Sequence, residues 1–332
     1  MKQGANIAKR IFGTIMLPGA MYIAMMILCY ANGKMYFGTM MMWKTLIVDI
    51  AVSVTCALGI GLQFKCGRFD FSGGAIMLIS AIVAGNISKQ NGNNMMLFFG
   101  LCIVCCVALS VLVSLLYVYG RLPIIIATIG MALLYESVTC LMFNGSGINL
   151  VANMTLKQFS TYPLVLLPFG LSILVYVIFS YFTVTGKQAD LLSMNQQAAV
   201  NIGINEKKNV IISYVFSGLI YGFATAIYAS KGMHAASFSS LTTVGELFSN
   251  ILPVFIGLML AQYCGDAIGI IMGSITLCLM SYSLSAVFSA EMGSAVSTVI
   301  TGLFIFFINV VSAQGKEWIE GIKGLFGKKK VA

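Results

Sequence analysis

Residues 95–119 read MMLFFGLCIVCCVALSVLVSLLYVY, a run without one charged side chain. A helix needs about 20 apolar residues to cross the hydrocarbon core of a bilayer, and this run supplies them between Asn94 and Gly120. In water such a segment would have no polar face to present. In lipid it needs none, because a helix bonds its own backbone N–H and C=O groups internally. The run sets the fold class as an all-α integral membrane protein.

Working outward, comparable runs lie near 11–30, 45–64, 72–88, 122–143, 163–182, 209–229, 241–262, 265–288 and 294–313. With 95–119 they make about ten transmembrane helices. Composition agrees, since the 332 residues are 59% hydrophobic and 9% charged, whereas a soluble domain needs about 25% charge to cover its surface. The run at 72–88 is short and opens on Gly73 and Gly74, which leaves open a broken or re-entrant third helix. Lys2, Lys9 and Arg10 precede an apolar run to Tyr30 that lacks a small-x-small cleavage site. That segment reads as a retained first helix rather than a secretory signal.

Charge gives the orientation. With ten spans, Lys34, Lys44, Lys89, Lys157 and Lys231 fall on one side, and the other fourteen of the 19 lysines and arginines on the opposite side. The positive-inside rule then puts both termini in the cytoplasm. The net charge of +9 sits in short loops and tails, so it orients the chain and does not form a stripe for nucleic acid. The expected organisation is one transmembrane domain over 1–314 and a basic cytoplasmic tail over 315–332. In that tail Trp318, Ile322, Leu325 and Phe326 have the spacing of a helix lying on the inner leaflet.

Several chemistries are disfavoured. The nine cysteines lie mostly in apolar runs and the one histidine is His234, so neither a disulfide framework nor a metal site is expected. Gly-Lys pairs occur at 33–34, 186–187, 315–316 and 327–328, but no Ser or Thr follows any of them. The chain has no phosphate-binding loop of the usual kind and is not expected to be an enzyme.

Asp49, Glu136 and Glu246 fall within apolar spans, where a carboxylate costs about 2.5–3.5 kcal/mol at a helix centre. Each must face the bundle interior, either as part of a polar pathway or in an interhelical hydrogen bond. Glu246 has the stronger functional reading, because Thr242, Thr243 and Gly245 stand beside it and Asn250 follows one turn on. An ion-coupled secondary transporter using these carboxylates is the alternative function, and a membrane scaffold a further one. Gly218 and Gly222, then Gly265, Gly269 and Gly273, lie four apart, a spacing that lets helix backbones approach closely. The longest polar connection, VTGKQADLLSMNQQAAVNIGINEKK at 184–208, holds Leu191, Leu192, Met194 and Ala198 on one prospective face, with Gly203 as terminator. Such a helix, parallel to the membrane, could receive force from a cytoplasmic partner; a solvated loop is the other reading.

Several segments resemble a known pattern. Arg68-Phe69-Asp70-Phe71-Ser72-Gly73-Gly74 is similar to G-I-D-L-S-V-G, with Asp70 and Ser72 at its polar positions. Arg121-Leu122-Pro123 with Ile126-Ala127-Thr128, the turn Asn144-Gly145-Ser146, and Gly245-Glu246-Leu247 have counterparts as well. Asn195 to Asn205, NQQAAVNIGIN, is similar to G-N-x-x-A-A-x-x-x-G-I-N. Together they resemble the permease subunits of ATP-binding-cassette importers of the ribose, galactose, xylose and autoinducer-2 type, in the wider family of nucleoside and branched-chain amino acid permeases. Gln197 stands where the family has an acidic residue, Phe248 where it has aspartate, and residues 258–265 replace its glycine-rich loop.

The resemblance implies a permease of a bacterial cell membrane that carries a small polar solute, a sugar or nucleoside. An extracytoplasmic binding protein would deliver the solute to a pore between this subunit and a second permease subunit, identical or different. Asp70, Ser72, Thr128, Glu246 and Asn250 would line the path. Asn195, Gln197, Ala198, Ala199, Gly203, Ile204 and Asn205 would couple to an ATPase subunit holding ATP and magnesium, with no cofactor in this chain.

Overall fold

The computed structural model describes residues 2–288 apart from Phe37, Ser239 and Gln262, together with a few positions between 295 and 306; at 2–9 it describes the backbone alone. The apolar runs become α1 (Lys2–Ala31), α2 (Met40–Lys65), α3 (Gly73–Gln90), α4 (Met95–Gly120), α5 (Ile124–Leu141) and α6 (Leu166–Val177). Then follow the short α7 (Val184–Met194) and α8 (Gln196–Asn201), and the long α9 (Glu206–Lys231), α10 (Thr242–Leu260) and α11 (Asp266–Val287). Polar side chains start several of them. Asn94 accepts from Leu97 N, Asn195 from Ala198 N and Asn205 from Lys208 N, which caps α4, α8 and α9.

The chain is thus an all-α multi-pass membrane protein. Among the described residues seven helices are long and apolar enough to cross a bilayer, or eight if α6 and α7, bent by 71° with the π-turn Ile178–Phe182 between them, count as one. The span expected at 294–313 falls largely outside the described residues, and the tail helix at 315–332 wholly so.

α3 is continuous, and the interruption precedes it. Residues 66–72 have no helix and are mostly buried. They start at Lys65, on the end of the molecule that carries Asp190 of α7. The far end of α3 reaches the opposite side, where Lys89 Nζ donates to Asn149 O at 2.5 Å. Residues 66–90 therefore pass from one end of the bundle to the other, first as irregular chain and then as helix. Irregular backbone at this depth is tolerated only when protein surrounds it. Here α9 does so, through Arg68 Nη1 donating to Ser213 Oγ at 2.7 Å.

At the same far end β1 (Ile148–Asn149) pairs antiparallel with β2 (Met233–His234), Ile148 opposite His234. The segment between α5 and α6 is clamped there. Ser160 Oγ donates to Ser230 O, and Ser230 Oγ to Leu156 O.

Lipid offers no hydrophobic drive for helix association, so close packing must supply it. The most buried long helix, α9, turns Ser213, Ser217, Gly218, Gly222, Ala224, Ala226 and Ala229 inward, while Val104, Leu112 and Leu116 of α4 point outward. A Cβ on Gly222 would lie 2.7 Å from Ile103 Cα, and one on Gly218 2.8 Å from Val107 Cα. Gly269 and Gly273 bring α11 against Gly257 and Pro253 of α10 in the same way. Gly222→Leu is expected to destabilise the bundle by about 3 kcal/mol, the upper range for overpacking, read as a lower midpoint of unfolding in a detergent titration. Gly100→Leu is the control, because nothing lies within 4 Å of a Cβ there.

Candidate functional site

A cavity of about 490 Å³ opens between α2, α3, α9 and α10. Its polar wall comes from Tyr228 and Lys231 of α9, His234 of β2, and Glu246, Ser249 and Asn250 of α10. Its base is Gly73 and Gly74 at the start of α3, with Cys56, Met77 and Tyr221 beside them. Gly73 must be bare, since a Cβ there would lie 2.6 Å from the Tyr221 hydroxyl. That hydroxyl is buried without a hydrogen-bond partner among the described residues. Tyr228 Oη donates to Glu246 Oε2 at 3.0 Å, and Asn250 Nδ2 to Glu246 O at 3.1 Å. The Tyr228 ring lies against His234 with centroids 3.7 Å apart and the planes tilted by 30°. A neighbouring cavity of about 310 Å³ shares Tyr228, His234 and Glu246 and continues along 235–243.

The expected pathway residues separate. Glu246 and Asn250 line the cavity. Asp70 and Ser72 lie just before its base and bond one another, Asp70 Oδ1 accepting from Ser72 N at 2.8 Å and Ser72 Oγ at 2.6 Å. This carboxylate fixes the turn that leads into α3. Thr128 is buried in α5 and donates to Ile125 O one turn back.

The three carboxylates differ just as plainly. Asp49 accepts from Lys231 Nζ at 2.6 Å, an ion pair between α2 and the end of α9. Glu136 is fully buried and accepts at Oε2 from Leu241 N, and at Oε1 from Thr243 N and Thr243 Oγ1. It caps α10 from α5, satisfying backbone donors that would otherwise be stranded in the interior. Only Glu246 faces the cavity.

At the other end, α7 and α8 are separate helices, because Asn195 is extended with φ −155° and ψ 99°. This corrects the expected single amphipathic face. Leu192 points inward, while Leu191, Met194 and Ala198 are exposed. Ala189 and Leu192 of α7 and Ala199 of α8 form the inner side. Gln197, Val200 and Ile202 are exposed. Gly203, at φ +95°, ends α8; Ile204 N then donates to Ala199 O, and Asn205 caps α9. Lys65 ties this segment to the bundle, with Nζ 3.7 Å from Asp190 of α7 and 3.0 Å from Asp266 of α11. The arrangement is a short outward surface on a segment anchored to α2 through Lys65 and to α9 through Asn209, whose Nδ2 donates to Thr185 O.

The sequence profile of the family described as branched-chain amino acid transport system / permease component matches residues 42–309. The chain belongs to this permease family. The permease is 22% identical over 302 residues to the galactose/methyl galactoside import permease protein MglC of Escherichia coli strain K12, covering 83% of this chain and 89% of that protein. It is 21% identical to the MglC of Salmonella typhimurium, with the same coverage. No solved structure matches it.

Sequence reasoning missed Tyr228, Lys231 and His234 of the permease cavity. A signal existed in α9, where Tyr221, Tyr228 and Lys231 stand seven and then three residues apart on one face of the helix. His234 carried none, since the β1–β2 pairing that places it joins segments far apart in the chain.

Burial holds the His234 imidazole below its ordinary value of 6.5, with its bond to Tyr228 O and the charge of Glu246 opposing the shift. The neutral ring is the packed form, so its contribution is present above about pH 6.5 and lost as pH falls through the lowered value. Acidification from pH 7.5 to 5.5 is expected to lower the amide protection factors across 232–238, taken relative to the intrinsic exchange rate at each pH. His234→Gln should flatten that dependence; an unchanged profile would reject the assignment to this ring.

Proposed function

We propose that the permease forms, with a second permease subunit, the pathway of an ATP-binding-cassette sugar importer. An extracytoplasmic binding protein presents the solute at the β1–β2 end, and ATPase subunits holding ATP and magnesium dock at the cytoplasmic α7–α8 end. The observation that carries this reading is the cavity, where Glu246, Asn250, Ser249 and Tyr228 converge on one small volume. Hydroxyl, amide and carboxylate groups of this kind suit a solute rich in hydroxyls, which gives and accepts hydrogen bonds alike. The galactoside named for both relatives points to the same class.

Asp70 and Ser72 hold the base of the path by fixing α3, and Thr128 supports it from α5. Asn195, Gln197, Ala198, Ala199, Gly203, Ile204 and Asn205 form the coupling surface. ATP binding and release shift the pore between two states by favouring one over the other, as any ligand with differential affinity does.

The test is uptake of labelled hexoses, pentoses and nucleosides into proteoliposomes carrying the permease with its ATPase and binding protein. ATP-dependent sugar uptake is expected, and Glu246→Ala should lower it by about tenfold or more, the loss of one hydrogen bond to a charged group. Uptake driven by an ion gradient without ATP would overturn the proposal in favour of a secondary transporter.

A further inference from the structure

A smaller cavity, of about 240 Å³, lies where α4, α5 and α9 meet near the α7–α8 end. It is lined by Tyr117, Arg121, Leu122, Glu206, Lys207 and their neighbours. Arg121 occupies the tight turn between α4 and α5 with φ +53°. A turn joining two long apolar helices has to sit at the membrane surface, level with lipid headgroups. The cavity therefore opens at headgroup depth whichever way the chain faces.

Its charges are what single it out. Arg121, Lys207 and Glu206 share this small space. Yet among the described residues no ion pair joins either cation to a carboxylate. Glu206 accepts only from the neutral Gln196 Nε2, at 2.7 Å, and Lys207 Nζ stands 6.0 Å from the centroid of the Tyr119 ring. A cavity whose cations and carboxylate are not paired with one another is complementary to an occupant carrying both signs. From its rim Leu112, Leu116 and Tyr119 run down one stripe of α4, and all three are exposed on the outer face. That stripe suits an acyl chain.

We propose that this cavity binds the headgroup of a zwitterionic phospholipid with a primary ammonium, phosphatidylethanolamine. The phosphate sits between Arg121 and Lys207, and the ammonium donates to Glu206. Phosphatidylcholine has the same charges but no N–H to donate, so Glu206 discriminates between the two through a charge-assisted hydrogen bond. Because Gln196 belongs to α8 and bonds the same carboxylate, an occupied site stiffens the junction of α8 and α9.

The experiment is native mass spectrometry of the permease with its ATPase partner bound, titrated with phosphatidylethanolamine, phosphatidylcholine and phosphatidylglycerol of identical acyl chains. Phosphatidylethanolamine is expected to be retained about tenfold better than phosphatidylcholine, a low-end value for a hydrogen bond to a charge. Glu206→Gln should abolish that preference, whereas Arg121→Gln should weaken both lipids equally; elution volume on size exclusion reports that the variants are folded. Equal retention of the two zwitterions, or stronger retention of phosphatidylglycerol, would overturn the proposal. So would a preference that survives in Glu206→Gln, or one seen only after the ATPase is stripped away, which would make the cavity a protein contact.

Discussion

Glu136→Ala is expected to destabilise the permease by on the order of 3 kcal/mol, the sum of one buried and one part-buried backbone donor left without an acceptor. Leu241 N and Thr243 N both donate to this carboxylate at 2.9 Å. Both lie at the first turn of α10, where a helix has no internal acceptor for its amides. Water cannot replace Glu136, because the residue is fully buried. Glu136→Gln keeps one oxygen and should lose roughly 1–2 kcal/mol less, since a neutral acceptor makes the weaker bond. Thr243→Ala removes the hydroxyl bond alone and should fall nearest wild type. The measurement is the unfolding midpoint of the three variants in mixed detergent. Wild-type stability for Glu136→Ala would show that α10 is held by its packing and that the cap is incidental. The same series bears on ion coupling, since a carboxylate bonded three times by protein has no free role as a carrier.

The second large effect belongs to the coupling surface. Ala199 is 3% exposed beneath α8, so Ala199→Trp must lift the helix off its seat. The expected result is ATPase docking weakened by about 2 kcal/mol, roughly 30-fold, the loss typical of one disrupted interface anchor. Gly203→Val acts differently. A Cβ there meets nothing within 4 Å, but φ +95° is a conformation that side chains resist. It should re-aim α8 without crowding it, and its effect should be the milder of the two. Both variants should insert in the membrane and keep the unfolding midpoint of the parent, because the damage is at the periphery. ATPase co-purification and ATP-driven uptake are the readouts. Full uptake in Ala199→Trp would remove α8 from the coupling role.

How legible this was depended on the range over which each signal acts. The run at 95–119 became α4 at 95–120 almost residue for residue, because crossing a bilayer is a local demand on one segment. Gly203 likewise marked the end of α8, through a positive φ. The carboxylates were visible as anomalies and opaque as to role. Asp49 meets Lys231 across 182 positions and Glu136 meets Thr243 across 107, and no periodicity reports such pairings. The prospective face of Leu191, Leu192, Met194 and Ala198 dissolved because a single extended residue, Asn195, resets the helical phase between α7 and α8.

The passage of residues 66–90 across the bundle bears on how the chain reaches its membrane. A nascent polypeptide is partitioned into lipid segment by segment, and the backbone of 66–72, with no helix to satisfy its amides, has nothing to gain from leaving the translocation channel alone. Its shelter includes Ser213 and Asn209 of α9, which are synthesised more than a hundred residues afterwards. The expected order is that 66–72 stays beside the channel until α9 arrives, so that assembly runs out of sequence order. A ribosome-stalled chain ending after α4 should leave 66–72 open to aqueous labelling, while one extended past α9 should not.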